Sequence, residues 1–491
     1  MTEHPLNLLA PTGALPIADG WREVTGSLDI VFPYDESVIG TGPLASIADA
    51  EAALDAAERS LPEAAALTTE QRKSILLALT ERVREATERL EHLLVLETGK
   101  PLVDCRTEVN RTIVTLQATA EEASRIHGET VPLDVQELGR GMIGYYTRKP
   151  AGIVVGIAGF NYPLLLATHK LAPAIAAGCP VIVKPAPHTP LATLELMAMA
   201  REVLSDHGVS GSLVQLISGD AQVGERLVTD PRAQVVSFTG SAAIGHLIAK
   251  QAAPRKTLLE LGSNTGFIVA QDADLEAAAR TVAVGGFYAN GQACIAVQRI
   301  VVEREVAAEF TRLVAEHVRE IVVGDPRDER TRVAPVINAA SGNRIRAAVA
   351  AAVAAGATLV VDGTASDNPA LIGPTVVSGV ARNAELWAEE IFGPVVAITV
   401  VDSIAEAIEV VNDSRYGLQA AIFTASLESA FTAIEQLDVG GVVVNEMPGF
   451  RSDIMPYGGV KDSGIGREGP RYAVEEYTVT RMAMIRPTAR R

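Results

Sequence analysis

Three residues in this chain carry the groups needed to work on a carbonyl. Cys294 follows a small-residue loop, Ala289-Asn290-Gly291-Gln292-Ala293, and precedes the β-branched run Arg299-Ile300-Val301-Val302. A cysteine delivered this way is a candidate nucleophile, because thiolate is the strongest nucleophile a side chain offers near neutral pH. A lone cysteine is more often a small core hydrophobe, so Cys294 decides nothing by itself. Two further stretches shift the balance. Glu260 stands between apolar residues in Leu259-Glu260-Leu261-Gly262, and Asn161 ends an apolar run in Gly159-Phe160-Asn161-Tyr162-Pro163. A thiol, a carboxylate and an amide can attack a carbonyl carbon, activate water and stabilise an oxyanion.

Such groups need rigid elements to hold them. From Pro150 onward short apolar runs alternate with helical patterns: Ile153–Ile157, Pro180–Val183, Leu213–Ile217, Val235–Phe238 and Thr257–Leu261. Buried strands alternating with helices predict a parallel sheet covered on both faces, with ligands beyond the carboxyl ends of its strands. A second α/β unit spans about 262–445, with strands including Phe267–Ala270, Arg299–Val302, Thr358–Val361, Val395–Val400 and Val442–Val444. Before these units, residues 1–45 read as an irregular arm. Amphipathic helices follow from Asp49 to about Glu97, and another helix, Val103 to Ile126, carries Arg111. Residues 128–148 and the strand-like tail EEYTVTRMAMIR stand apart from this alternation.

Seven stretches, FYANGQACIAVQRI, LLELGSN, GIAGFNYP, VIVKPAPHTP, SFTGSAAIG, EEIFGPV and PYGGVKDSG, resemble the motifs of the aldehyde dehydrogenase superfamily and fall in that family's order. The resemblance runs from about Asp49 to Met484. It implies an α/β architecture with a Rossmann-like parallel-sheet cofactor domain from residues 1–127 and 149–261. A second α/β catalytic domain would take 262–468, and a β-flap, 128–148 with 469–491, would pair subunits into a homodimer or homotetramer. It implies oxidation of an aldehyde with NAD or NADP. Cys294 would form a thiohemiacetal and then a thioester, Asn161 would stabilise the oxyanion, and Glu260 would activate the hydrolytic water. In a CoA-acylating member CoA would replace that water; such members typically lack the glutamate. A catalytically silent protein on the same fold would be expected to lose one of the three residues.

For the cofactor there is no GxGxxG fingerprint. Gly240-Ser241, with Gly245 one turn on, is the pyrophosphate candidate, since a helix start exposes free N–H groups and a hydroxyl. The resemblance assigns Lys184 to the adenosine ribose, and Glu390 and Phe392 to the nicotinamide ribose and ring. NAD-preferring members often carry a glutamate where this chain has Pro187, and its loss removes a like-charge barrier to NADP.

Aromatic residues make up 4% of the chain, and the expected pocket stretches show few of them. Arg111 and Arg451 stand out instead, with Tyr162 beside Asn161. This trio resembles the anion-binding set of the glyceraldehyde-3-phosphate, phosphonoacetaldehyde and succinate-semialdehyde branches. Phosphate-binding members often carry a further arginine before the cysteine, where this chain has Ala293. The expected substrate is therefore a small aldehyde with an anionic or polar distal group.

The whole chain limits its partners. Its 491 residues call for two or three domains, and its net charge of −18 argues against nucleic acid or anionic membrane. Cys105, Cys179 and Cys294 form no disulfide framework, which suits a reducing cytoplasm. The start has no basic n-region with an apolar h-region, and no long apolar run suggests a membrane span. Histidine spacing indicates no metal site.

Overall fold

The computed structural model describes residues 8–487. The first seven residues of the expected arm and the last four of the expected flap tail lie outside the described residues. The arm forms two β-hairpins, Ala14–Ile17 with Gly20–Glu23 and Gly26–Val31 with Val38–Leu44. The expected helices follow as Ile47–Ala66, Thr69–Glu85, Thr87–Thr98 and Leu102–Ala123.

Five strands, Ile153–Ile157, Val181–Lys184, Val214–Leu216, Ala233–Thr239 and Lys256–Glu260, make a parallel sheet; Gly464–Ile465 adds antiparallel to the last of them. Counted in chain order, the five lie third, second, first, fourth, fifth across the sheet. The order reverses between Ile153–Ile157 and Ala233–Thr239, the place where such sheets bind ligands. Phe160 and Asn161 leave one of these strands and Gly240 and Ser241 leave the other.

The second sheet has seven strands in the order Thr358–Val361, Thr375–Ser378, Val395–Val401, Arg299–Glu303, Gly266–Val269, Gln419–Phe423 and Gly441–Val444, parallel except at Thr358–Val361. Thr375–Ser378 and Gln419–Phe423 were not singled out from the sequence. The first is only four residues beside Gly373 and Pro374, and the second is diluted by two alanines, so neither gives a strong apolar run. Val181–Lys184 and Arg299–Glu303 are buried throughout, as expected for strands covered on both faces.

Residues 261–265 carry the chain from the carboxyl end of the first sheet to the amino end of the second. These two edges therefore meet. Glu260 ends a strand of one sheet, and Cys294 precedes a strand of the other.

In the segments expected to form the flap, Ile143–Pro150 pairs antiparallel with Thr478–Ile485 as a separate two-stranded sheet. Its first strand runs past the expected boundary at 148, because Lys149 and Pro150 pair with Val479 and Thr478. Glu475 and Glu476 of the expected tail strand belong instead to the helix Pro470–Glu476. Ile143, Met482, Met484 and Ile485 are exposed on this sheet. Among the described residues no helix is long and apolar enough to cross a membrane.

Candidate active site

The nucleophile loop is held by a dense set of backbone contacts. Ala289, Asn290 and Gly291 all have positive φ, at 49°, 60° and 68°. Such conformations persist only where the surroundings impose them. The Asn290 amide donates to Gly99 O (3.1 Å) and Pro335 O (2.9 Å), and its oxygen accepts the Ala334 N–H at 2.7 Å. Gly291 is required, because a Cβ there would lie 2.2 Å from the Gly393 carbonyl. Cys294 follows, half-buried, with Sγ 3.1 Å from the Tyr457 hydroxyl. Burial pushes the thiol up to about 12, although Tyr457 pulls the other way.

Asn161 is tied to the same loop. Its Nδ2 donates to Gln292 O at 2.8 Å, which fixes the amide and leaves its second hydrogen without a partner among the described residues. The Cys294 backbone N–H has no partner among the described residues.

Glu260 is 4% exposed, and Leu259 and Leu261 are buried with it. Neither carboxyl oxygen has a hydrogen-bond partner among the described residues. Burial and the neighbouring Glu468 carboxylate hold Glu260 well above the usual carboxylate range, against Arg451, Lys170 and Arg467. Glu468 goes the other way. Burial raises it, but Lys170, His169 and Arg451 together outweigh burial and hold it well below that range. Lys170 Nζ contacts Glu468 and donates to Thr239 Oγ1 at 2.7 Å. Two acids pushed apart in this way can serve different roles at one pH.

These groups line a cavity of about 330 Å³ at the meeting of the two sheets. Arg111, Tyr162 and Arg451 line it too. Arg111 makes a forked ion pair with Asp453, with contacts of 2.7, 3.1 and 3.2 Å. Arg451 is 6% exposed and stacks 3.7 Å above the Tyr457 ring centroid. It reaches only Glu468, at 3.4 Å, and its buried Nε has no partner among the described residues. The aromatic lining corrects an expectation. Phe160, Tyr162, Tyr288, Phe392 and Tyr457 all face the cavity. They come from four separate stretches, so overall aromatic content could not reveal their convergence.

Four of the expected cofactor residues, Gly240, Ser241, Glu390 and Phe392, line the same cavity; Lys184 and Gly245 do not. Ser241 is the N-cap of the helix Ala242–Ala252, yet its hydroxyl makes no cap hydrogen bond. That leaves hydroxyl and first-turn N–H groups available to an anion. Gly245 serves helix packing: a Cβ there would lie 2.2 Å from Leu261 Cδ2. Lys184 ends its strand and is buried, which lowers it to about 8 despite Asp220. Glu390 accepts the Ser263 N–H at 3.0 Å and burial raises it to about 7. Phe392, at φ 50°, packs edge-on to Phe160 with centroids 5.6 Å apart. An N–H-rich rim, an unused hydroxyl and an aromatic shelf beside the nucleophile fit a dinucleotide.

Sequence reading missed His169, Glu468 and Tyr457. His169 is 4% exposed on the helix Pro163–Ala177, with Nδ1 3.1 Å from Glu468 Oε2 and no hydrogen-bond partner for Nε2 among the described residues. One signal was present: the run Thr168-His169-Lys170 interrupts a helix that is otherwise apolar.

A cysteine, an amide and a raised carboxyl line one cavity between two α/β units, which is the set of groups an aldehyde-oxidising dehydrogenase needs. The aldehyde dehydrogenase family model matches residues 21–483, and the chain belongs to that family. The chain is 37% identical over 466 residues to the 3-sulfolactaldehyde dehydrogenase of Priestia aryabhattai, covering 95% of this chain and 96% of the relative. Aldehyde dehydrogenase 21 from Physcomitrella patens, in complex with the reaction product succinate, superposes with a TM-score of 0.93 at 36% identity, covering 97% and 98% of the two chains. Glyceraldehyde-3-phosphate dehydrogenase from Methanocaldococcus jannaschii, complexed with NADP, gives 0.91 at 34% identity, covering 94% and 100%. The protein is an NAD(P)-dependent oxidoreductase acting on aldehydes.

Proposed function

We propose that this enzyme oxidises a small aldehyde with a distal anionic or strongly polar group, and releases the carboxylate by hydrolysis. The observation that carries the reading is Arg451, a buried guanidinium in the cavity whose Nε has no partner among the described residues. Arg111, Tyr162 and His169 line the same cavity and extend this polar end. The succinate bound by the Physcomitrella relative and the 3-sulfolactaldehyde oxidised by the Priestia relative are of the same chemical kind.

In this reading the Cys294 thiol gives its proton to water, its Sγ bonds to the aldehyde carbon as the carbonyl π bond opens, and the resulting oxyanion takes hydrogen bonds from the second Asn161 N–H and the Cys294 backbone N–H. Such stabilisation is typically worth about 2.7–4 kcal/mol per donor. NAD or NADP, when bound, supplies the hydride acceptor. Gly240, Ser241, Lys184, Glu390 and Phe392 would hold it, with Gly245 allowing close approach of the helix. Glu260, once ionised, takes a proton from the water that cleaves the thioester. The Glu468 anion beside it strengthens it as a base. CoA transfer has less support, because Glu260 faces the cavity. A silent scaffold has less still, because Cys294, Asn161 and Glu260 all line it.

With Pro187 in place of a carboxylate, nothing at that position repels a 2′-phosphate, which supports use of NADP as well as NAD. The exposed apolar residues of the flap favour pairing with a second copy, giving a homodimer or homotetramer. Three free cysteines suit a cytoplasmic enzyme.

The test is an aldehyde panel on the wild type: succinate semialdehyde, 3-sulfolactaldehyde, glyceraldehyde-3-phosphate, phosphonoacetaldehyde, lactaldehyde, propanal and benzaldehyde. An anionic or hydroxylated short aldehyde is expected to give the highest kcat/KM. Benzaldehyde as the best substrate would overturn the reading.

A further inference from the structure

One helix touches three separate segments of the active site. Asp104, Glu108 and Arg111 lie on Leu102–Ala123 at spacings of four and three residues, hence on one helix face. Asp104 Oδ2 accepts the Ala289 N–H at 3.0 Å, at the first of the positive-φ residues that deliver Cys294. Glu108 Oε1 accepts the N–H groups of Leu164 (2.9 Å) and Leu165 (3.2 Å). These open the helix Pro163–Ala177, whose N-cap, Tyr162, makes no side-chain cap. Glu108 therefore caps that helix from another element, immediately after Asn161. Arg111 holds Asp453 on the loop that carries Arg451.

The second carboxyl oxygen of Glu108 is equally committed. It takes the Lys100 ammonium, which lies just before the helix and 3.8 Å from the Tyr162 ring centroid. Lys100 and Glu108 are 1% and 0% exposed. Three segments distant in the chain thus share one rigid support, and each contact falls within a few residues of a group in the cavity.

We propose that the face of Leu102–Ala123 bearing Asp104, Glu108 and Arg111 positions the active site, with Asp104 setting the nucleophile loop and Glu108 setting the oxyanion loop. The proposal rests on Cys294 and Asn161 having the roles given above. Asp104 and Glu108 are positioning residues, for they act through Ala289 and through Leu164 and Leu165. Removing each contact should loosen one segment and spare the other. A general scaffold would lose both together.

The experiment combines Asp104→Ala, Asp104→Asn and Glu108→Ala with two readouts on full-length enzyme. The first is rate: alkylation of Cys294 by iodoacetamide, and the single-turnover burst of reduced cofactor. Asp104→Ala should slow both by about tenfold to a hundredfold, the scale of a misplaced reacting group. Asp104→Asn, which keeps an acceptor for Ala289, should recover most of the loss. Glu108→Ala should slow the burst and leave alkylation unchanged. Aldehyde KM and cofactor affinity should hold in all three.

The second readout is amide hydrogen exchange, which uses the wild type as well and so does not depend on a variant folding. In the wild type, peptides covering 288–293 and 161–166 should both be protected. Asp104→Ala should release only the first, and Glu108→Ala only the second. Rapid exchange of either peptide in the wild type would overturn the proposal. So would equal release of both by either variant, or variants that lower thermal stability with rates unchanged. Turnover persisting in Cys294→Ala would instead defeat the catalytic assignment, while the exchange pattern would still judge the positioning claim.

Discussion

The two arginines of the cavity have the same side chain and opposite circumstances. Arg111 meets Asp453 through a forked pair, the strongest geometry available to a guanidinium and a carboxylate. Arg451 shares Glu468 with Lys170 and His169, and one buried N–H donor has nothing to bind among the described residues. Residue type alone makes them equal anion sites. Pairing makes one a structural tie with its charge opposed, and the other a cation with a donor to offer. The acids divide in the same way, with Glu468 held between Lys170 and Arg451 and Glu260 left without a hydrogen bond among the described residues. Chemical capacity in this cavity sits with the groups that are least satisfied.

The contrast is broken most forcefully at Glu260. Glu260→Gln removes the base but keeps shape and burial, so steady-state turnover should fall by about a hundredfold or more. The initial burst of reduced cofactor should survive, because acylation precedes the lost step. Wild-type kcat should rise with pH through an inflection above the ordinary carboxylate range. The reason is that the working form is the ionised one, and burial beside Glu468 favours the protonated one. The variant should lack that inflection. Stopped-flow and steady-state profiles over pH check both statements, and a lost burst would move Glu260 to the acylation step.

A smaller effect tests the satisfied end. Arg111→Ala strands the Asp453 carboxylate, which is 7% exposed. It should cost on the order of 2–3 kcal/mol of stability, below the figure for fully buried pairs because Arg111 is partly exposed. Arg111→Ala with Asp453→Ala together should recover most of the loss, since no charge is left unpaired. The melting temperatures of the two variants decide it. A double variant as unstable as the single one would mean that Arg111 acts through packing.

Much of the framework was legible before any coordinates. Apolar runs such as VIVK and RIVV are buried on both faces and could hardly be anything but interior strands, and the loop before Cys294 announced itself by its small residues. Cys294, Glu260 and Asn161 drew notice because each sits in a short, distinctive stretch, and all three line one cavity. Pairing was not. Nothing in the sequence says that Arg111 takes Asp453, 342 residues away, or that Glu468 sits beside Glu260. His169 was hidden for a related reason: in an all-buried helix a polar residue reads as a satisfied core group until its neighbours are known.

The most direct test of the account is the ratio of kcat/KM for succinate semialdehyde to that for propanal, in the wild type and in Arg451→Ala. A hydrogen bond to a charged group is worth about 1.5–3 kcal/mol, so the variant should lose about tenfold to a hundredfold on the semialdehyde. Propanal, with no distal group to hold, should change little. An equal loss on both substrates, or no loss on either, would contradict the assignment of Arg451 as the anchor of an anionic aldehyde.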